Sequence, residues 1–273
     1  MTRFSYSECT ALITGASAGL GAEFARQLAP HASCVILVAR REQMLHSVHD
    51  ELLKINSRLR VIVCAADVAT ESGRRAIVAA IAEYDLPVNV LINNAGLGDY
   101  GRFESAEIAR IRSQIDVNIS ALVELTHALI PVLNQHKPAG ILNVSSLAGT
   151  LPLPDMAIYA ATKAFVTSFS ESLRIELLDS GIRVAAVCPG PTPTTFSHNA
   201  HRKSGSDADR SGERILTQPP QKVVAQGLNA LVNGTSTVYP GWGVRLSASI
   251  FRIIPRWLLR PLLLRRFRAA RRV

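Results

Sequence analysis

The feature that most constrains this chain is a rhythm. Short runs of uninterrupted apolar residues recur through the first 240 positions, at Ala11–Thr14, Cys34–Ala39, Val61–Ala65, Val88–Ile92, Ile141–Val144, Ile182–Val187 and Ser236–Tyr239. Between them lie segments of helical period at Leu20–Leu28, Gln43–Ile55, Glu71–Glu83, Glu104–Leu133, Ala157–Leu178 and Gln221–Val232. A strand whose successive side chains are all apolar is buried on both faces, as in a parallel sheet covered by helices on each side. Strand followed by helix, six times over, predicts one α/β domain with a doubly wound parallel sheet of about seven strands. Right-handed crossovers then leave few topologies open. One stretch breaks the rhythm: residues 189–220, rich in Pro and Gly and carrying Ser197, Ser204, Ser206 and Ser211, are expected to form a long loop of the kind that often closes over a site.

The charge is unevenly placed. The net charge is +9 over 273 residues, yet residues 244–273 hold nine Arg and no acid, while residues 1–243 hold 21 basic and 21 acidic side chains. The chain therefore divides, by charge, into a neutral body (1–243) and a basic amphipathic C-terminal extension (244–273), and the excess needs an explanation separate from the body's. Cys9, Cys34, Cys64 and Cys188 are widely spaced, with no C-x-x-C pair and no His at ligand spacing. They read as buried free thiols of a reducing, cytoplasmic setting, and no metal site is expected. No leader-like stretch opens the sequence, and no run of 18 uncharged apolar residues predicts a membrane-spanning helix.

Directly after the first strand comes Thr14-Gly15-Ala16-Ser17-Ala18-Gly19-Leu20-Gly21, leading into a helix. Glycines at such a turn let backbone N–H groups approach a pyrophosphate, and the helix N-terminus adds about half a positive charge. The spacing, G-x-x-x-G-x-G, is one residue wider than the usual dinucleotide motif, but its place at the carboxyl end of the first strand suits a Rossmann-type site. The second strand ends Val38-Ala39-Arg40-Arg41, with basic residues where an acid would bond the ribose 2′-hydroxyl of NAD. An Arg there accommodates a 2′-phosphate, so NADP(H) is expected over NAD(H).

Tyr159 and Lys163 lie four apart on a predicted helix, so both project from one face. A phenol titrates near pH 10, and a neighbouring ammonium favours its phenolate, which predicts an acid/base group for an alcohol or carbonyl oxygen. Ser146, in the turn after the Ile141–Val144 strand, can bond the same oxygen.

Taken in order, the glycine turn, Asp67-Val68, Asn93-Asn94-Ala95-Gly96, Asn118, Ser145-Ser146, Tyr159 with Lys163, and Pro189-Gly190 resemble the short-chain dehydrogenases/reductases over about residues 10–240. The resemblance implies a catalytic tetrad of Asn118, Ser146, Tyr159 and Lys163, the 13-residue separation of Ser146 from Tyr159 selecting it over Ser145. By similarity, Tyr159 donates a proton as hydride arrives, Ser146 orients the substrate oxygen, Lys163 holds the nicotinamide ribose, and Asn118 positions a water that links Lys163 to solvent. The family often has Asn where this chain has Asp116. The cofactor set so implied is Gly15, Ser17, Gly19, Leu20, Gly21, Arg40, Asp67, Val68, Asn94, Ala95, Gly96, Tyr159, Lys163, Pro189, Gly190 and Thr192. The family also commonly assembles as homodimers or homotetramers, and Ile119–Leu133 is apolar enough to permit it. Related nucleotide-sugar epimerases and dehydratases use other glycine spacings and longer C-terminal domains.

Leu151, Pro152, Leu153, Pro154, Met156 and Phe196 predict an apolar pocket for a hydrophobic carbonyl or alcohol substrate. In the extension, Arg252, Arg256 and Arg260 are four apart among Ile253, Ile254, Trp257, Leu258 and Leu262, with Pro255 and Pro261 starting or kinking turns. Two readings are open: an interfacial helix on an anionic membrane surface, or a helix packed on the body or a neighbouring subunit with Arg outward. Nucleic acid is not an expected partner, for no stacking platform accompanies the charge. Two rival functions remain beside a reductase: a non-catalytic NADP(H)-binding regulator, and a peripheral membrane protein whose extension is primary.

Overall fold

The computed structural model describes residues 4–194, 196, 200 and 216–269. The expected loop's Ser197, Ser204, Ser206 and Ser211 lie outside the described residues. Seven strands, β1 (Thr10–Thr14), β2 (Cys34–Ala39), β3 (Arg60–Ala65), β4 (Val90–Asn93), β5 (Ala139–Val144), β6 (Ile182–Val187) and β7 (Thr237–Val238), form one sheet in the order β3-β2-β1-β4-β5-β6-β7. Every neighbouring pair is parallel. The expected Rossmann-type, doubly wound sheet in a single domain is what the chain adopts.

Helices α1 (Gly19–Leu28), α2 (Glu42–Ile55) and α7 (Pro220–Asn233) cover one face. Helices α3 (Glu71–Glu83), α5 (Ala121–Gln135) and α6 (Ala157–Glu176) cover the other. The strands supply both cores by alternation: Ile13, Leu37 and Ile92 point to the first, Leu12, Ile36 and Leu91 to the second. That two-sided burial is why these strands read as unbroken apolar runs. The edge strand β3 is more exposed and opens and closes on exposed residues.

The expected long helix over Glu104–Leu133 begins four residues later and runs without interruption from Ile108 to Gln135. A 3₁₀ turn at Phe103–Ser105 precedes its first part, α4 (Ile108–Ile115), and a π-helical segment at Asp116–Ser120 joins α4 to α5. The whole run Ile108–Gln135 is long and apolar enough to cross a membrane by length and composition. In the fold it is a sheet-covering helix, with Leu125, Leu129 and Leu133 buried in the second core.

Beyond β7 come α8 (Trp242–Ile253) and α9 (Arg256–Ala269), so the change in charge at residue 244 falls within the first turn of α8. Pro261 lies inside α9 rather than starting it. Val244 and Ala248 of α8 bury against Leu147, Cys188 and Tyr239, forming a third, smaller core.

Candidate active site

In this strand order β1 and β4 are neighbours whose following helices leave toward opposite sides, and the crevice at their carboxyl ends is where open α/β sheets take ligands. The glycine turn after β1 and the Asn94–Gly96 turn after β4 face each other across it. Gly15 has φ +68°, and a Cβ there would sit 2.9 Å from the Ala95 Cα. At Gly21 a Cβ would fall 2.1 Å from the Gly15 carbonyl oxygen, so no side chain fits. Helix α1 follows with Ala18 at its N-cap, no side-chain cap and no acid in its first turn. Its leading N–H groups are thus left for an anion, which suits a dinucleotide's pyrophosphate.

Asn94 is a tie between the two turns. Its side chain donates to the carbonyls of Thr14 at 2.9 Å and Gly15 at 3.2 Å, while the amides of Asn94 and Ala95 both donate to the Thr14 hydroxyl at 3.0 Å. Its amide group holds the turn rather than reaching into the cleft. Val68 and Ala95 line a narrow apolar cleft with Thr14, Val117 and Leu122. Asp67 accepts the Ala69 amide at 3.0 Å.

The two arginines after β2 divide their contacts. Arg40 is mostly exposed and stands 3.9 Å from the Asp67 carboxylate. Arg41, the second of the two basic residues at this strand end but absent from the expected cofactor contacts, donates from Nη2 to the Ser17 hydroxyl at 3.2 Å, so it joins the end of β2 to the glycine turn. Only its place beside Arg40 could have signalled this.

The four residues expected to do chemistry come from the segment just past β5 (Ser146), from α6 (Tyr159 and Lys163) and from the π-helical segment before α5 (Asn118). Ser146, two residues past β5, caps the 3₁₀ turn Leu147–Thr150, its hydroxyl accepting the Ala148 amide at 3.1 Å. The same hydroxyl lies near enough to the buried Tyr159 phenol to favour its phenolate. Ser145 points the other way, donating to the Lys163 carbonyl at 2.7 Å and meeting the Thr167 hydroxyl at 2.7 Å. Adjacent residues in an extended segment face opposite sides, so one serine enters the site and the other fastens α6.

Lys163 is buried one helical turn from Tyr159, its ammonium donating to the Val144 carbonyl at 2.8 Å and lying 5.8 Å from the phenol ring centre. Burial holds it down to about 8. The expectation that this ammonium brings the phenol toward neutrality is corrected: burial pushes Tyr159 up to about 12, and the nearby Ser146 hydroxyl only partly offsets that. The ammonium is directed at a backbone carbonyl rather than at the phenol oxygen, and loss of water penalises the phenolate.

Asn118 sits in the π-helical segment and reaches back across the cleft. Its Oδ1 accepts the Leu97 amide at 2.8 Å, and its Nδ2 donates to the Leu97 carbonyl at 2.9 Å and the Thr162 hydroxyl at 3.0 Å. One lone pair on Oδ1 remains for a water. Gly96 borders that spot, a Cβ there lying 3.4 Å from the Lys163 ammonium and 3.5 Å from Oδ1.

The segment after β6 covers the cleft. Pro189 accepts the Leu147 amide at 2.8 Å, Gly190 lies against Val244 of α8, and Thr194 lies over Gly19. Thr192 bonds within its own turn, to the Gly190 carbonyl at 3.1 Å. The Phe196 ring lies 5.5 Å from the Tyr159 ring, placing an aromatic wall beside the phenol. Sequence reasoning missed a buried polar chain behind the site, Asn93 to Asn143 at 2.9 Å and Asn143 to the Ser170 hydroxyl at 2.9 Å, since asparagines at strand ends read as turn formers. Among the described residues no group of His, Cys, Asp and Glu could hold a metal ion.

Comparison with known proteins agrees with this arrangement. A family model described as short chain dehydrogenase matches residues 9–205. A sulfoacetaldehyde reductase of Chromohalobacter salexigens is 37% identical over 188 residues, 68% of this chain and 73% of that protein. Among solved structures, a short-chain dehydrogenase from Sphingobium yanoikuyae in complex with NADPH is 29% identical with a TM-score of 0.75, covering 90% of this chain and 96% of that one. A 3-ketoacyl-(acyl-carrier-protein) reductase from Brucella melitensis complexed with NADH is 26% identical with a TM-score of 0.74, covering 87% of this chain and 99% of that one.

Proposed function

The chain belongs to the short-chain dehydrogenase/reductase family and is a nicotinamide-dependent oxidoreductase, and from that premise we propose that it uses NADP(H) to interconvert a hydrophobic carbonyl compound and its secondary alcohol. The observation that carries this reading is the burial of the Tyr159 phenol beside the Ser146 hydroxyl, one helical turn from a buried Lys163 whose ammonium is fixed on the Val144 carbonyl. A bound NADPH supplies the hydride that adds to the carbonyl carbon. Tyr159 gives its phenolic proton to the oxygen as that bond forms, and Ser146 donates a second hydrogen bond to the same oxygen. The resulting phenolate draws a proton from solvent through the Lys163 ammonium and a water on Asn118. Lys163 also holds the nicotinamide ribose.

Gly15, Ser17, Gly19, Leu20 and Gly21 would hold the pyrophosphate by backbone N–H groups, as the uncapped start of α1 supports. Arg40 and Arg41 flank the position of an adenosine 2′-phosphate, the chemistry that favours NADP(H). Asp67, Val68, Ala95 and Gly96 would line the adenosine and ribose, with Asn94 acting through the turn it ties. Pro189, Gly190 and Thr192 would close over the nicotinamide.

Phe196, Leu147 and the inner side of α8 support an apolar substrate. Phe165 stacks on Phe169 at 5.9 Å on α6, with Ile175 and Leu178 exposed nearby, which supports a homo-oligomer built on α5 and α6. A cytoplasmic enzyme with a separate body and extension fits the free cysteines and the charge division.

The test is oxidation of NADPH and of NADH over aldehydes, ketosteroids, 3-ketoacyl thioesters and quinones, run on the natural chain and on Tyr159→Phe. Turnover that depends on Tyr159 and prefers NADPH is expected. Tight NADPH binding with no turnover of any substrate would favour the non-catalytic regulator instead.

A further inference from the structure

Helix α8 is apolar on two opposite sides. Val244 and Ala248 face the body, while Trp242, Leu246, Ile250 and Ile253 fall within an arc of about 80° on the other side. That outer arc is bare: Trp242 is 78% exposed and Ile253 80%. The next helix repeats the plan, with Leu259 buried and Trp257 and Leu264 outward, Trp257 at 69% exposure. A globular surface helix has a polar outer face, and this pair does not. Its exposed side chains also include Arg245, Arg260, Arg265 and Arg268, while Arg252, exposed as well, lies over the Tyr239 ring at 5.5 Å, and no acid occurs in residues 244–273.

We propose that the outer faces of α8 and α9 are a docking surface for an anionic lipid bilayer. Tryptophan and aliphatic side chains enter the boundary between headgroups and acyl chains, and the arginines meet lipid phosphates beside them. Each half of the surface excludes a rival occupant. A second copy joined about a twofold axis would set the same exposed arginines against each other. A nucleic acid would neutralise the arginines and leave Leu246, Ile250, Ile253 and Leu264 against phosphate. Only a bilayer takes both. The proposal stands independently of the reaction assigned above, since its readout is binding.

The test uses the full chain in flotation with vesicles of phosphatidylcholine containing phosphatidylglycerol, against vesicles of phosphatidylcholine alone. Binding to the anionic vesicles, weakened by salt, is expected. Trp242→Ser with Leu246→Gln and Ile250→Gln should lower the partition coefficient at least about tenfold, and Arg260→Gln with Arg265→Gln and Arg268→Gln should do the same. All six positions but Pro-flanked Arg260 lie away from buried contacts, and an unchanged melting temperature with unchanged NADPH binding reports that each variant is folded. The proposal is overturned if the chain stays off anionic vesicles, if either variant binds them as well as the natural chain, or if the apolar variant instead reduces the particle's size in solution, which would assign the face to a second copy. Equal binding to a soluble polyanion that the apolar variant retains would also overturn it.

Discussion

Asn118 brackets the backbone of Leu97, accepting its N–H at 2.8 Å and donating to its C=O at 2.9 Å. The segment after β4, which carries Gly96 into the cleft, is therefore held by Asn118 from the π-helical segment before α5, with Gln114 of α4 also donating to the Leu97 carbonyl at 3.2 Å. Asn118→Ala leaves the Leu97 N–H without its partner, while the Leu97 carbonyl keeps Gln114 and the Thr162 hydroxyl keeps the Tyr159 carbonyl. A loss of about 1–3 kcal/mol in unfolding free energy is expected, read by denaturant titration. Activity should fall further than stability alone accounts for, since the place proposed for a water on Oδ1 goes with the side chain; a variant as stable and active as the natural chain would refute the bracket.

Tyr159→Phe removes the acid and little else, because the ring and its contacts with Phe196 and Lys163 stay in place. Its kcat is expected to drop by about 10²–10⁴ with NADPH affinity within a few-fold of natural, measured by steady-state kinetics and fluorescence titration.

The pH dependence should differ between directions. Burial pushes the Tyr159 phenol up to about 12, so at neutral pH it is protonated and ready to act as an acid. Carbonyl reduction is expected to be level below pH about 8 and to decline above it, as the buried Lys163 ammonium, held down to about 8, loses its proton. Alcohol oxidation needs the phenolate and should rise with pH, by roughly tenfold per unit, while Lys163 stays charged. An oxidation rate that falls from pH 6 to 7 contradicts the assignment of Tyr159.

Arg41→Ala loses the bond to Ser17, and Arg40→Ala loses an exposed cation. Together they should raise KM for NADPH by about ten- to a hundredfold while leaving KM for NADH nearly unchanged. Equal effects on both cofactors would mean that the pair holds the turn and does not read the 2′-phosphate.

Two glycines near the cleft should respond in opposite ways. A Cβ at Gly21 would lie 2.1 Å from a backbone oxygen, so Gly21→Ala forces the turn to move and should cost about 1–3 kcal/mol, with cofactor binding lost. At Gly96 the same methyl makes ordinary contact at 3.4 Å with Lys163, so Gly96→Ala should melt like the natural chain and show its defect in kcat.

The strands were legible because burial on both faces writes them as apolar runs: Cys34–Ala39 and Ile182–Val187 end where the sequence reading ended them. The π-helical segment before α5 was not, because such a turn adds one residue without any mark in composition. The choice of Ser146 over Ser145 could be made from spacing, and their opposite directions in space give its physical reason. The phenol's titration was misjudged, for the sequence places Lys163 near Tyr159 but cannot say that its ammonium turns to the Val144 carbonyl or that both groups are shut away from water. Two basic residues at the end of β2 were legible, but not which of them reaches the glycine turn, for neither of two adjacent arginines announces which one will bond Ser17.

The inner residues of helix α8, Val244 and Ala248, share the small core with Leu147, the neighbour of Ser146, while its outer residues are exposed. One helix, about 10 Å across, thus stands as a party wall between the core behind Ser146 and whatever lies outside. A chain cut at the change in charge would lose that wall, and a shortened protein prepared for convenience should be treated as a different enzyme from the whole one.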